Sequence, residues 1–456
     1  MLSRSPGASE ITPPAGSTPA PFVASGPPAA ADPRWRYTGP SRRTFLQLAG
    51  LGAATAAIAG CTSTGSSGAT SIRFFQNKPE VIGYFGELVE AYNSSQNRIR
   101  VTHDSSPTSL VAQIVRGAPP DLALYNYNLE TSTYVARGVL SDLASLPETS
   151  RIRPDVQALV TQYATYQGQT NVLPYSITAA GVIYNKTIFA DNGVAVPTTW
   201  PEMLAACQSF SDAGVTPVYS TYKDVWTLSQ GLFDYSGGGS VDVADFYTKL
   251  KNEGANILPD SPTTFENTFG GAVDRMLQVA SFSNPDAPAR AYADGNLAFG
   301  SGEAAMYMQG PWAFSEIEKV NPDLDLGTFP LPMKDDADNR VRVNLDLSLW
   351  IPQGSQNKSA ARQFLSHLMQ PDIQDAYNTD NLAYSPNKNP IAVTDPRIAE
   401  LQPYVDEGLF YQGPNTYIPP TIPIGNYLQE AVISGDGTEF LRTLDSDWRR
   451  LAVRTS

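Results

Sequence analysis

The chain has 456 residues, 41% hydrophobic and 17% charged, so it can bury a sizeable core and is long enough for two or three domains. Its 31 basic and 45 acidic residues give a formal net charge of −14. Nucleic acids and anionic lipid headgroups bind clustered Lys and Arg, so this balance argues against nucleic acid as a partner and makes a poor surface for such lipids.

The first 60 residues are typical of a leader that is removed on export. Residues 1–40 are rich in Pro, Ala, Gly and Ser and predict disorder. The pair Arg42 and Arg43, an apolar run and a closing Cys61 behind small residues resemble a bacterial twin-arginine signal that ends in a lipobox. The apolar run is shorter than the roughly 20 residues of a membrane-spanning helix. We therefore predict an exported lipoprotein, anchored through Cys61 to the outer face of the cell membrane.

Removal of this leader makes the remaining chain more acidic. Residues 1–60 hold five arginines and two acids, which leaves 26 basic and 43 acidic residues and a net charge of −17. Residues 61–70 are mainly Ser, Thr and Gly and predict a flexible tether between lipid and body. With Cys61 lipidated, Cys207 has no disulfide partner, and its apolar neighbours predict a buried, inert thiol.

From Ser71 onward, strand and helix patterns alternate, which favours a mostly parallel α/β sheet with ligands at the carboxyl ends of its strands. The predicted strands are 72–75, 99–101, 121–125, 173–175, 181–184 and 343–351. The predicted helices are 79–93, 110–116, one that begins at Thr199, 358–369, 428–433 and 440–453. The run 236–239, SGGG, interrupts a helix-rich middle and predicts a loop, without the lysine of a phosphate-binding loop.

Three segments, in order along the chain, resemble one family. The first joins residues 181–186, GVIYNK, to residues 197–202, PTTWPE. The second is residues 298–312, AFGSGEAAMYMQGPW, and the third is residues 357–368, NKSAARQFLSHL. Together they resemble the extracellular solute-binding proteins of ABC importers, in the sugar-binding group that includes maltose-binding protein. The resemblance runs from about Ser71 to the C-terminus.

This resemblance implies an α/β fold of the two-lobe periplasmic-binding-protein-like (type II) class, with a ligand cleft between the lobes and multiple hinge crossings. It assigns 71–175 and 344–390 to lobe 1, and 176–343 with the helical segment 391–456 to lobe 2. Crossings are expected near 174–180 and 344–348, and bound ligand closes the lobes by hinge bending. The implied partners are a carbohydrate ligand and the permease subunits of an ABC transporter. We expect a monomer without a cofactor.

A sugar site needs flat aromatic side chains against C–H faces and polar side chains for the hydroxyls. Trp312 matches the family's stacking tryptophan, with core packing at a helix start as the alternative. For Tyr175 the alternative is packing between the lobes, and for Trp226 it is burial in the core. Asp346 is unusual on a buried strand unless it has a partner. The other candidates lie at strand ends or crossings: Gln76, Tyr125, Asn126, Asn128, Thr178, Ser348 and Tyr384.

Catalytic and metal-binding motifs are not evident in the sequence. Asn321, Asp323 and Asp325 start like a calcium loop, but Gly327 falls one position late. No spacing singles out the carboxylate pair of a glycosidase. The predicted function is therefore the substrate-binding component of an ABC sugar importer, not an enzyme. Two alternatives stay open: an exported, lipid-anchored carbohydrate hydrolase, and a receptor for a non-sugar solute such as a polyamine or peptide.

Overall fold

The computed structural model describes residues 68–107 and 110–455, with the backbone alone for 453–455. Arg42, Arg43 and Cys61, and with them the predicted leader and lipidation site, lie outside the described residues. Within the described ranges, no helix combines the length and apolar character that a membrane span requires.

The strands are β1 Thr70–Phe75, β2 Ile99–Asp104, β3 Leu122–Tyr125, β4 Leu173–Ala180, β5 Val182–Asn185, β6 Thr216–Tyr219, β7 Ala304–Tyr307, β8 Leu326–Phe329, β9 Val341–Trp350 and β10 Phe410–Tyr411. The helices are α1 Ile82–Ser95, α2 Leu110–Val115, α3 Leu129–Ala136, α4 Pro154–Thr161, α5 Lys186–Asp191, α6 Trp200–Asp212, α7 Val225–Thr227, α8 Asp234–Ser240, α9 Val243–Glu253, α10 Phe265–Ala280, α11 Tyr292–Gly300, α12 Phe314–Val320, α13 Lys358–Leu368, α14 Pro371–Asp380, α15 Gln402–Asp406, α16 Ile424–Ser434 and α17 Thr438–Thr455. Every strand and helix predicted from the sequence is present, and β4 runs on from the predicted 173–175 to Ala180.

The strands form two sheets, around which we define lobe 1 and lobe 2. The sheet of lobe 1 has the order β10-β9-β3-β1-β2, with β4 also paired to β9. The sheet of lobe 2 has the order β6-β7-β5-β8. Both sheets are mixed, because β9 runs antiparallel to β3 and β4, and β5 runs antiparallel to β7 and β8. The expectation of a mostly parallel sheet is therefore wrong. The linking strand β9 runs antiparallel to β3 and β4 but parallel to β10.

The chain changes from the sheet of lobe 1 to that of lobe 2 at Gly181, between β4 and β5. A Cβ atom there would overlap the Phe329 carbonyl group, so the close approach of β8 requires glycine. The chain returns through β9, which pairs with β4 from Leu349 opposite Leu173 to Arg342 opposite Ala180. A third connection passes Tyr384, whose backbone exchanges two hydrogen bonds with Ile177 of β4. The two long connecting strands thus form one ladder between the lobes.

The glycine run 236–239 lies in helix α8 instead of the predicted loop. Three consecutive glycines weaken a helix, but here each one gives room to a neighbouring side chain. A Cβ atom on Gly238 would overlap the ring of Tyr411, and one on Gly239 would come within 2.9 Å of Met333. Tertiary packing therefore overrides the local preference of glycine for loops.

Each lobe has its own apolar core. In lobe 1, α1, α13 and α14 supply side chains such as Phe85, Phe364 and Tyr377 to the core beside β1. In lobe 2, α6, α10 and α17 pack together, and α6 begins with a capping box between Thr199 and Glu202. Cys207 of α6 is fully buried, and burial raises the pKa of its thiol to about 12. The prediction of a buried thiol is confirmed, and the raised pKa keeps this thiol protonated at neutral pH.

A buried ion pair joins α8 to β9. Arg342 Nε donates to Asp234 Oδ2 at 3.1 Å, and the two side chains are 1% and 0% exposed. The second oxygen of Asp234 accepts from the backbone N–H of Asn415 at 2.8 Å. Burial raises the pKa of Asp234 to about 6, against the lowering effect of Arg342 and the Asn415 N–H. The pair ties a lobe 2 helix, a connecting strand and the C-terminal segment to one point.

Replacing Arg342→Met leaves the Asp234 carboxylate buried without a cation, so the pKa of Asp234 rises further. A group whose pKa is higher in the folded than in the unfolded protein loses stabilising effect as the pH rises through that folded value. We expect a loss of about 3–5 kcal/mol in the free energy of unfolding at neutral pH. The difference in the free energy of unfolding between this variant and the unsubstituted protein should grow as the pH rises through about 6.

Denaturant unfolding at a series of pH values measures this difference. Lys319→Met, which removes an exposed ion pair with Glu316 on α12, is the matched control and should show little loss at any pH. A deficit for Arg342→Met that is the same at pH 5 and pH 8 would contradict the assignment.

Candidate functional site

Three half-buried aromatic residues of lobe 2, Trp226, Tyr292 and Trp312, form what we call the aromatic platform. The rings of Trp226 and Tyr292 meet edge to face with centroids 5.0 Å apart. The Tyr292 hydroxyl reaches the backbone oxygen of Trp312 at 3.4 Å. Among the described residues, most large aromatic side chains are buried, whereas these three keep part of their surface open to solvent. Two of the predicted ligand residues, Trp226 and Trp312, are thereby brought together.

The local sequence holds the indole of Trp312 in place. Its Nε1 donates to the Oε1 of Gln309 at 3.0 Å, and Gln309 is itself buried. A Cβ atom on Gly310 would overlap the indole, so glycine lets the ring fold back over the backbone. The turn 311–313 packs against β4. The Trp312 side chain packs against two separate clusters of buried apolar residues. The platform therefore lies beside the first connecting strand.

Tyr292 was missed by the sequence analysis. It begins α11, where its backbone N–H donates to the carboxylate of Asp224 at 2.7 Å, and Asp224 lies just before Trp226. Burial raises the pKa of Tyr292 to about 12, so its hydroxyl stays neutral at physiological pH. The sequence offered no signal for Tyr292, because it belongs to none of the three family-like segments.

In lobe 1, a polar cluster is centred on Asp346 of β9. Both carboxylate oxygens of Asp346 accept from Lys78 Nζ at 2.8 Å. The Nδ2 of Asn126 donates to the Asp346 backbone oxygen at 2.6 Å. Lys78 keeps 28% of its side chain exposed, compared with 12% for Asp346. Asp346, a predicted ligand residue, thus has the partner that its burial requires.

Lys78 is a further residue that the sequence analysis did not single out. It lies two positions after Gln76, in the segment that follows β1 and precedes α1. Its position after a strand end is the same signal that pointed to Gln76, and that signal could have found it. The charge of Asp346 is therefore balanced within the cluster.

Gln76 is fully buried at the end of β1, and neither its side-chain nitrogen nor its oxygen has a hydrogen-bond partner among the described residues. An unpaired buried amide group costs about 1–3 kcal/mol. Tyr125, half-buried at the end of the adjacent parallel strand β3, packs its ring 5.9 Å from that of Phe75. Gln76, Tyr125 and Asn126 thus follow the carboxyl ends of two neighbouring strands.

Three predicted ligand residues make hydrogen bonds that hold the backbone around the site. Asn128 caps α3 by accepting from the Thr131 N–H at 2.9 Å, and Ser348 donates to the Tyr125 backbone oxygen at 2.9 Å. The Tyr384 hydroxyl donates to the Ile398 backbone oxygen at 2.6 Å.

Tyr175 lies wholly inside the lobe 1 core, between Phe85 and Tyr377, with ring centroids 6.2 and 5.3 Å away. Its side chain is therefore not offered to a ligand in this structure, because the inward face of β4 carries it. Thr178 differs from Tyr175. It is half-buried on β4, opposite the half-buried Asn344 of β9.

The sequence model for the family described as bacterial extracellular solute-binding protein matches residues 87–400. The chain belongs to this family. Because the family is extracellular, the chain is an exported protein, and its relatives are solute-binding proteins.

Among the relatives, the chain is 23% identical over 356 residues to the multiple sugar-binding protein of Streptococcus mutans serotype c, covering 75% of this chain and 81% of that one. It is 25% identical over 253 residues to the diacetylchitobiose binding protein DasA of Streptomyces coelicolor, covering 54% and 56%. Among solved structures, apo RafE of Streptococcus pneumoniae superimposes with a TM-score of 0.72 at 19% identity, covering 85% of this chain and 99% of RafE. RafE in complex with raffinose gives 0.67 at 21% identity, with 84% and 100% covered. These likenesses show the two-lobe α/β fold of family 1 solute-binding proteins.

Gly310→Ala should displace the indole of Trp312, because the added methyl group would occupy the position of the ring. We expect a changed tryptophan emission spectrum and a loss of about 1–3 kcal/mol in the free energy of unfolding. Gly270→Ala is the matched control, since nothing lies within 4 Å of a Cβ atom at this site in α10. It should leave the spectrum unchanged and stabilise slightly. Identical spectra for both variants would show that Gly310 does not position Trp312.

Proposed function

We propose that this protein is the substrate-binding component of an ABC importer, and that it captures a carbohydrate between its two lobes and delivers it to a membrane permease. The observation that carries the proposal is the half-buried aromatic platform, which offers flat apolar surface beside the connecting strands. Such surface stacks on the C–H faces of sugars. The names of the relatives, a multiple sugar-binding protein and a diacetylchitobiose binding protein, support the same class of ligand.

The proposed mechanism divides the site between the lobes. Trp312 and Trp226 of lobe 2 would stack on the sugar, and the indole N–H of Trp312 is already bonded to Gln309, which leaves the ring for apolar contact. Gln76 and Asn126 of lobe 1 would hydrogen-bond the hydroxyls, and the unpaired amide of Gln76 would gain partners when the site fills. Only a ligand that contacts both lobes stabilises the closed arrangement relative to the open one. Binding of such a ligand therefore shifts the protein population toward the closed arrangement.

The other predicted residues are of two kinds in this proposal, those that would border the ligand and those that would act indirectly. Tyr125, Thr178 and Asp346 would border the ligand, because each is near a strand end or on the connecting ladder. Asn128, Ser348, Tyr175 and Tyr384 would act indirectly, by holding the backbone and core around the site.

The charge balance of the lobe 1 cluster favours a neutral ligand. Lys78 neutralises Asp346 at 2.8 Å, whereas a polyamine receptor would need carboxylates that are free to pair with the ligand. The same contact occupies both oxygens of Asp346, and a general acid or nucleophile needs at least one of them. We therefore propose a binding protein without catalytic activity in preference to a hydrolase.

The proposal includes export through the twin-arginine signal and attachment to the membrane through a lipid on Cys61. It also includes a monomeric receptor in the free state. The export and the anchor rest on the sequence pattern of residues 41–61 and on membership of an extracellular family.

A screen of neutral sugars, polyamines and peptides by thermal shift tests the ligand class. A carbohydrate at 100 times its Kd should raise the free energy of unfolding by about 2.7 kcal/mol, and the sugar should be recovered unaltered. A melting temperature raised only by polyamines or peptides would contradict the proposal. Shortened oligosaccharides would show a hydrolase instead.

Trp312→Ala tests the platform. Loss of a buried aromatic contact should weaken sugar affinity by about 10- to 100-fold, measured by calorimetry with the best sugar from the screen. Trp312→Phe is the matched control, because it keeps an aromatic face without the indole N–H and should retain most of the affinity. An unchanged Kd for Trp312→Ala, with the fold intact by circular dichroism, would remove Trp312 from the site.

A further inference from the structure

A groove of about 1120 Å³ on lobe 1 is unrelated to the aromatic platform. It lies between the end of α1, the segment that leads into β2, the short turn 147–151 and α13. Four basic side chains line it: Arg98, Arg151, Lys358 and Arg362. We call this set the basic groove.

The positive charges of the four basic side chains are not neutralised by ion pairs among the described residues. Arg151 and Arg362 donate to neutral oxygens, the Met369 carbonyl at 2.6 Å and the Asp142 carbonyl at 2.8 Å. In the part of the chain that the structure describes, none of the four lies within salt-bridge distance of a carboxylate. Glu148 is the acid that lines the groove, and it is 6% exposed.

Such a groove is unexpected on this chain, which has a net charge of −17 from Cys61 onward. His367, at the same groove, adds no charge at neutral pH, because burial lowers its pKa below the ordinary value. The groove therefore carries a local positive charge on an acidic molecule.

The chain enters the folded body at this groove. The backbone N–H of Thr70 donates to the carbonyl of Arg98 at 2.8 Å. On the other side, the Nδ2 of Asn357 donates to the Ser71 carbonyl at 3.2 Å, and Lys358 follows directly. The first strand of the described residues thus begins between two residues that line or adjoin the groove.

The tether before Thr70 is short. Residues 62–69 span at most about 28 Å when fully extended. A lipid on Cys61 would therefore hold this side of lobe 1 close to the membrane surface. This step rests on the lipid anchor of the proposed function, whereas the groove and its charge do not.

We propose that the basic groove binds anionic phospholipid headgroups and turns this side of lobe 1 toward the membrane. Each basic side chain near an anionic surface strengthens binding by roughly fivefold, and the effect fades within a Debye length of about 8 Å. The acidic remainder of the protein is repelled by the same surface, so the groove selects one orientation. The overall charge of the chain conceals this local preference.

Vesicle flotation tests the proposal with the chain from residue 61 onward, carrying Cys61→Ala so that no acyl chain contributes. The folded part of this chain is one compact unit. The protein should float with vesicles of phosphatidylglycerol mixed into phosphatidylcholine, and not with phosphatidylcholine alone. Binding should vanish in about 1 M salt, where the Debye length falls to about 3 Å.

Arg98→Gln with Lys358→Gln should lower the vesicle affinity by about 25-fold, from two contributions of fivefold each. Arg116→Gln with Lys251→Gln is the matched control, because it removes the same charge from exposed sites on α9 and after α2. Equal loss in both double variants, or equal flotation with both kinds of vesicle, would overturn the proposal.

Two further arms identify the source of the anion. Retention on immobilised polyglutamate without vesicle binding would assign the groove to an acidic protein partner and overturn the membrane proposal. Inorganic phosphate that abolishes flotation at constant ionic strength would indicate a site for free phosphate, which also overturns it. Sugar affinity of both double variants should be unchanged, so failure of the sugar proposal and failure of this one are distinguishable.

Discussion

The ion pair between Asp234 and Arg342 is the constraint around which the rest of the molecule is arranged. It joins α8 of lobe 2 to β9, and the Asn415 N–H adds the C-terminal segment to the same carboxylate. β9 also pairs with β4 and β10 in the sheet of lobe 1, although the chain enters β9 from lobe 2. One buried contact therefore fixes the position of this connecting strand. Removing two charges from water is costly, and the ion pair together with the Asn415 N–H offsets part of that cost. The glycines of α8 serve the same arrangement, since they admit the Tyr411 ring of β10.

The ladder of β4 and β9 connects this constraint to the candidate site. Asp346 and Ser348 lie on β9, Thr178 lies on β4, and the turn before α12 brings Trp312 against β4. A change in the relative position of the lobes must bend this ladder or turn about its ends. The Tyr384 backbone bonds to Ile177 of the same ladder, so all three connections between the lobes meet in one region. Thr178, Asp346 and Trp312 thus lie on or against the strands that closure would deform.

Local patterns predicted most of the elements, and the family-like segments predicted the two-lobe class. They failed where distant residues decide. The run 236–239 has the composition of a loop, yet Tyr411 and Met333, far along the chain, make the helix the better-packed form. The mixed sheets were not predicted, because the direction of a strand depends on the side from which the chain re-enters the sheet. Hydrophobic periodicity carries no information about that direction. At the site, Trp312 could be nominated from its motif. Tyr292 could not, since its importance comes from its contact with Trp226. Lys78 follows a strand end as Gln76 does, and could have been nominated on that signal.

The contact between Lys78 and Asp346 has a consequence for work outside the cell. A receptor exposed to the surroundings has no control over their acidity or salt content. A site that relied on a free charge would gain and lose affinity with every change in either. Here the two charges are paired with each other at 2.8 Å, and the remaining polar groups, Gln76 and Asn126, are amides that do not titrate. Recognition through amides and aromatic faces would keep the affinity for a neutral solute constant when the pH or the salt concentration of the medium changes.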